Sequence, residues 1–166
     1  FAVNEMPFSH QGTNAGMGDD WPVAGSQGED VAYTLNVTEA TTYDFTLCSD
    51  YTDYDCKLEI FTNDQDCVTP TSTGNYNDDD YTNCPEHNAP YPPSGLWAVT
   101  LQAGQYYVVV DGFGGATGNY EISISLTGGR NSSDYVNNSI KTVWPLEEIK
   151  MAELGVSQDE IDAYTA

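Results

Sequence analysis

The chain has 166 residues, enough for one domain with an appendage, and sets 26 acidic side chains against 4 basic ones for a formal charge of -22. That balance excludes a nucleic-acid binder, whose phosphate contacts need clustered Lys and Arg, and disfavours an anionic membrane surface. No apolar run approaches the roughly 20 residues of a membrane-spanning helix, and the 39% apolar fraction supports a modest core.

Period-2 alternation recurs along the chain and predicts strands. The first is Val31, Tyr33, Leu35 and Val37. The second is Tyr43, Phe45 and Leu47. A short one follows at Leu58 and Ile60, then Trp97, Val99 and Leu101. Tyr106–Val110 is apolar on both faces, as a central strand is. Tyr120, Ile122, Ile124 and Leu126 close the series. Turn-forming clusters separate them: Gly74-Asn75, Gly114-Gly115 and Gly118-Asn119. Strands with no helical pattern between them predict an all-β antiparallel sandwich of the jelly-roll or immunoglobulin-like kind.

Composition changes at Gly128-Gly129. The stretch 130–143 is polar. Pro145, Glu147, Glu148 and Gly155 are then placed as helix start and stop signals, and Ser157-Gln158-Asp159-Glu160 is a capping box. The expected organisation is an N-terminal extension (1–7), a sandwich (8–127), and a linker with two short helices (128–166).

Several blocks carry a family resemblance. Gly12-Thr13-Asn14-Ala15-Gly16 with Asp19-Asp20 is one. Gly28-Glu29-Asp30-Val31-Ala32-Tyr33-Thr34-Leu35 is the next, then Asp53-Tyr54-Asp55-Cys56-Lys57-Leu58-Glu59-Ile60-Phe61. Asn77-Asp78-Asp79 precedes Cys84. The most specific blocks are Leu101-Gln102-Ala103-Gly104-Gln105-Tyr106-Tyr107-Val108-Val109-Val110-Asp111-Gly112 and Gly114-Gly115-Ala116-Thr117-Gly118-Asn119-Tyr120. Over residues 8–127 the chain resembles the bacterial pre-peptidase C-terminal (PPC) domain. The resemblance implies a β-sandwich of the kind appended to secreted peptidases and other surface proteins. Cys56 stands where Thr is usual. The Pro90–Pro93 insertion and the helical tail lie outside the pattern.

Four cysteines, Cys48, Cys56, Cys67 and Cys84, fall in one acidic stretch. An even count in a short chain with secretory features predicts two disulfides in an oxidising compartment. A four-thiolate zinc site is disfavoured because no Cys-x2-Cys pair exists. Of the three pairings, Cys48–Cys56 and Cys67–Cys84 are expected. Sequons at Asn36, Asn131 and Asn137 predict glycosylation. The chain begins at Phe1 with no signal-peptide pattern, as expected of a processed mature chain or an excised fragment.

The acidic run Asn77-Asp78-Asp79-Asp80 and the group Asp50, Asp53 and Asp55 are expected to meet at one end of the sandwich. Crowded carboxylates repel, and Ca2+, which takes 6–8 oxygen ligands, relieves the repulsion. The PPC resemblance implies calcium as well. A solvated acidic surface is the competing reading. Asp19, Asp20 and Asp30 form a second candidate cluster, whereas Asp111 is placed as a turn cap.

No G-x-S-x-G, H-E-x-x-H or Cys–His arrangement is present. His10 and His87 sit in polar, loop-like stretches. Trp21, Trp97, Tyr91, Tyr106 and Tyr107 are read as core aromatics rather than a sugar-stacking platform. Tyr51, Tyr54, Tyr76 and Tyr81 are read as exposed. The expected function is a non-catalytic, calcium-stabilised secreted glycoprotein that assembles with copies of itself into a filament or surface layer, with glycans or surface polysaccharide as further partners. The alternative is an accessory module of a secreted hydrolase that binds protein fibres or polysaccharide.

Overall fold

The structure is a computed structural model, and it describes residues 1–62, 70–84 and 91–127. The expected helical tail, the 128–166 linker, Cys67, His87, Asn131 and Asn137 lie outside the described residues. Among the described residues nine strands run in chain order: β1 (Ala2–Val3), β2 (Phe8–Thr13), β3 (Val31–Val37), β4 (Thr41–Thr46), β5 (Cys56–Thr62), β6 (Thr71–Asn77), β7 (Gly95–Leu101), β8 (Gly104–Gly112) and β9 (Asn119–Leu126). They form a five-stranded sheet, β1-β3-β8-β5-β6, and a four-stranded sheet, β2-β9-β4-β7. All pairs are antiparallel except β1 on β3. Among the described residues no helix is long and apolar enough to cross a membrane.

The alternation read from the sequence defines the inner faces. Tyr33, Leu35, Leu58, Ile60, Val108 and Val110 from the first sheet pack with Phe45, Leu101, Tyr120, Ile122 and Ile124 from the second in one continuous core. Non-directional burial of this kind is the main stabilising term. The hydroxyls of Tyr33 and Tyr120 meet at 2.8 Å in its interior, and His10 Nδ1 joins Tyr33 Oη at 2.7 Å. His10 therefore sits on β2 beside a buried phenol and not in a loop. Tyr54, expected outside, is buried in the same core.

The first sheet is covered on its outer face too. Val23, Phe61 and Val109 form a second apolar cluster, with Trp21, Ala32 and Tyr107 against it. The loop between β2 and β3 supplies Trp21 and Val23. It is pinned by Ala24 N–H donating to Glu59 Oε2 and by Lys57 Nζ donating to Ala24 O. This explains why Lys57 and Glu59, which alternate with Leu58 and Ile60, are buried although they face away from the main core.

Three strands escape the sequence reading: β1, β2 and β6. Gly74-Asn75 is not a turn between strands but an irregularity inside β6. Gly74 has φ +81°, and the β5 register shifts between Glu59 and Phe61. A second bulge lies in β7. Tyr43 pairs with Val99 and Phe45 with Leu96, so Trp97 and Ala98 together oppose Asp44 alone. Ala98 adopts φ +53° there, a conformation that L residues disfavour.

One disulfide links Cys48 to Cys84, with Cα atoms 5.6 Å apart. This corrects the expected Cys48–Cys56 and Cys67–Cys84 pairings. Cys56 opens β5, where the period-2 pattern places it on the core face with Leu58 and Ile60. It is a free thiol, and burial pushes it up to about 12. It is inert as a nucleophile near neutral pH.

Candidate metal centre

β5 and β6 pair antiparallel with Leu58 opposite Asn77. Asp55, just before β5, therefore lies at the same end as Asp78 and Asp79, just after β6. One oxygen from each of these three carboxylates lies within 4.8 Å of the others. One oxygen of Asp78 and one of Asp79 are shielded from solvent with no hydrogen-bond partner. Burial first, then the charges of Asp79 and Asp78, hold the Asp55 carboxyl above its usual range. Burial and then Asp78 do the same to Asp79.

Lys57 is the only Lys or Arg among the described residues. Its Nζ stands 3.5 Å from Asp78 Oδ2, between the rings of Tyr76 and Phe113. Burial alone would lower it. The hydroxyl of Tyr76 and the charge of Asp78 outweigh that and raise it, so Lys57 is a fixed cation. One ammonium beside three carboxylates leaves a local surplus of negative charge. In the sequence Lys57 stands between Asp55 and Glu59 at a position that alternates away from Leu58 and Ile60, a basic residue flanked by acidic ones.

The other predicted ligands are not gathered there. Asp53 is committed to Asn119, accepting its backbone N–H at 2.8 Å and its side-chain amide at 2.9 Å. Asn77 Oδ1 accepts the Gly95 N–H at 3.1 Å. Asp80 accepts from the Asn83 amide and the Trp97 indole, and from the backbone N–H groups of Thr82 and Asn83. Burial pushes Asp80 up, but these bonds outweigh it and hold the carboxyl below its usual range. Asp50 is exposed.

The second candidate cluster does not assemble as a ligand set among the described residues. Asp19 and Asp20 are exposed, and Asp30 is buried. Asp30 Oδ2 accepts the backbone N–H groups of Asp20 and Trp21 at 2.9 and 2.7 Å, stapling the loop that covers the first sheet. Asp111, at the end of β8, is wholly buried. Its Oδ1 accepts from Ser26 Oγ and the Gly112 N–H, the capping role expected of it, while Oδ2 has no partner. Burial pushes Asp111 up to about 6.

These commitments separate the carboxylates by role, and a substitution reads the separation out. Asp53→Ala removes two hydrogen bonds to a charged acceptor. We expect a loss of about 1.5–3 kcal/mol in chemical denaturation and no change in any response to calcium. A lost calcium response would place Asp53 in the metal shell.

Asn36, the described sequon, is exposed on β3 and accepts a hydrogen bond from Gln105 Nε2 at 3.1 Å. No protein-family model matches the chain, and no curated protein matches it. Among solved structures it is similar to the pre-peptidase C-terminal domain of a collagenase from Bacillus anthracis. Identity is 16%, the match covers 75% of this chain and 91% of that one, and the TM-score is 0.42.

Proposed function

We propose that the chain is a non-catalytic, secreted β-sandwich glycoprotein, stabilised by Ca2+ held at Asp55, Asp78 and Asp79, that self-associates as a structural subunit. The observation that carries the metal reading is the pair of shielded, unpartnered oxygens on Asp78 and Asp79 beside Asp55. Hard oxygen donors at such spacing suit calcium, with water and backbone carbonyls completing the shell. The Cys48–Cys84 disulfide supports an oxidising compartment outside the cytosol. The charge of -22 opposes self-association unless a divalent cation or a glycan intervenes, so assembly is expected only with calcium present.

Thermal unfolding tests the metal reading. Extracellular modules bind calcium with Kd near ~10⁻⁴ M. At 100-fold excess over Kd, calcium adds about 2.7 kcal/mol, which raises Tm by about 8–10 °C over the chelated protein. Asp79→Asn abolishes that increment and leaves the chelated Tm equal to or above wild type, because a repulsive charge is gone. Identical melting curves with calcium and with chelator would sink the reading. Light scattering across millimolar calcium tests assembly. A chain that stays monomeric throughout, yet is retained on insoluble collagen, supports the accessory-module alternative instead.

A further inference from the structure

Trp97 was expected in the core. It is instead 44% exposed, on the strand at the edge of the four-stranded sheet. Its outward aim follows from the bulge. Leu96 and Val99 both face inward, so the two residues between them, opposed by Asp44 alone, are thrust out. Bulges re-aim side chains in this way and are common beside functional sites. Ala98 holds a left-handed backbone to make it, and its N–H is tied to Asp44 Oδ1 at 2.7 Å. Backbone strain of this kind persists only where surrounding contacts impose it.

The indole is fixed as well as aimed. Its N–H donates to Asp80 Oδ2, and Asp80 is itself 7% exposed and held in place by Asn83 and Thr82. The cost of ordering a large side chain is therefore met before any ligand arrives. The next residue, Tyr81, is the most exposed large aromatic among those described, and the Asp80 N–H donates to Pro93 O at 3.3 Å, which brings the segment carrying exposed Tyr91 alongside.

We propose that Trp97, with exposed Tyr81 and Tyr91 on the segments tied to its Asp80 anchor, is a binding platform for a neutral, hydroxyl-rich saccharide chain. The choice of ligand follows from the charge around it. The only Lys or Arg among the described residues is Lys57, which is buried, so no Lys or Arg on the described surface receives a polyanion. Asp80 is consumed by internal hydrogen bonds, so the carboxylate nearest the ring does not present itself to a cation. What remains is a ring face for stacking against sugar C–H groups, and phenol hydroxyls for hydrogen bonding. Trp97 and its Asp80 anchor stand outside the Asp55, Asp78 and Asp79 group, so substitution of the ring tests the proposal apart from the metal and assembly readings.

Affinity electrophoresis of the full chain, in calcium-containing buffer, tests it. The probes are gels cast with hydroxyethylcellulose or xylan, with polygalacturonate and a lysine-rich peptide as charged comparisons. We expect retardation in at least one neutral gel, none in polygalacturonate and no peptide binding. Trp97→Ala should weaken retention at least tenfold, in the range of a hot-spot aromatic, while Trp97→Phe falls between the two. Melting curves of both variants establish that they fold. Absence of retardation in both neutral gels, undiminished retention of Trp97→Ala, or preference for the peptide or polygalacturonate would each overturn the proposal.

Discussion

Replacing Cys48 and Cys84 together by serine is expected to cost about 4 kcal/mol. The cross-link spans 36 positions of chain, and the chain-entropy relation for a loop of that length gives about this value. The penalty falls on the unfolded state. The bond joins the segment after β4 to the segment after β6, so it ties the second sheet to the acid-bearing end of the first. For a domain of this size the loss approaches half of a typical stability of about 5–15 kcal/mol. Urea unfolding of the double variant in calcium checks it. A midpoint unchanged from wild type would mean that the cross-link constrains nothing the fold does not already constrain. Cys56→Ser alone is a useful comparison, because it buries a hydroxyl among Leu58, Ile60 and other apolar neighbours without touching the bond.

The second large effect is a pH dependence centred on Asp111. Its carboxyl titrates at about 6 in the folded chain and near 3.8 when unfolded. The folded state therefore binds the proton more tightly. Stability rises as pH falls from about 6 to about 4, and above 6 the charged, half-satisfied carboxylate destabilises the fold by about 3 kcal/mol. Asp30, Asp55 and Asp79 are shifted the same way and add to the slope. Asp80 and Glu121 are held below their usual ranges and oppose it, but only as pH falls further. In chelator, Asp111→Asn should exceed wild type by about 3 kcal/mol at pH 7.5, with the two converging toward pH 4. The asparagine oxygen can still accept from Ser26 and Gly112. Parallel stability profiles for the two proteins would show that Asp111 is not the titrating group.

The sandwich was legible because its core is written in alternation. Val31–Val37, Tyr106–Val110 and Tyr120–Leu126 each place every second side chain on one face. β2 and β6 were not, because their sequences, FSHQGT and TSTGNYN, are built of polar residues and glycine. Their backbone pairing is dictated by neighbours rather than by their own pattern. The acidic site was legible only as part of a larger set, for a related reason. Asp55, Asp78 and Asp79 were named from crowding alone, but so were Asp53 and Asp80, and nothing in a run of aspartates reveals which of them accept hydrogen bonds from Asn119, Asn83 or Trp97. The expected Cys48–Cys56 pairing fails because the spacing of Cys56 to Leu58 and Ile60 places it on the core face of β5. Trp97 was misread because strict alternation has no room for the extra residue of a bulge.

Two of the four outermost strands share a peculiarity. β6 is broken by left-handed Gly74 and β7 by left-handed Ala98, each at a register shift. A continuous ladder of free N–H and C=O groups invites another chain to zip onto it, and a kink in the middle of the row spoils the template. Neither the β6 nor the β7 edge offers such a row over its full length, whereas β2, at the opposite edge of the four-stranded sheet, runs without a break. Amyloid-like stacking is thereby discouraged at β6 and β7, and any orderly polymer the chain builds has to grow through something other than these two edges.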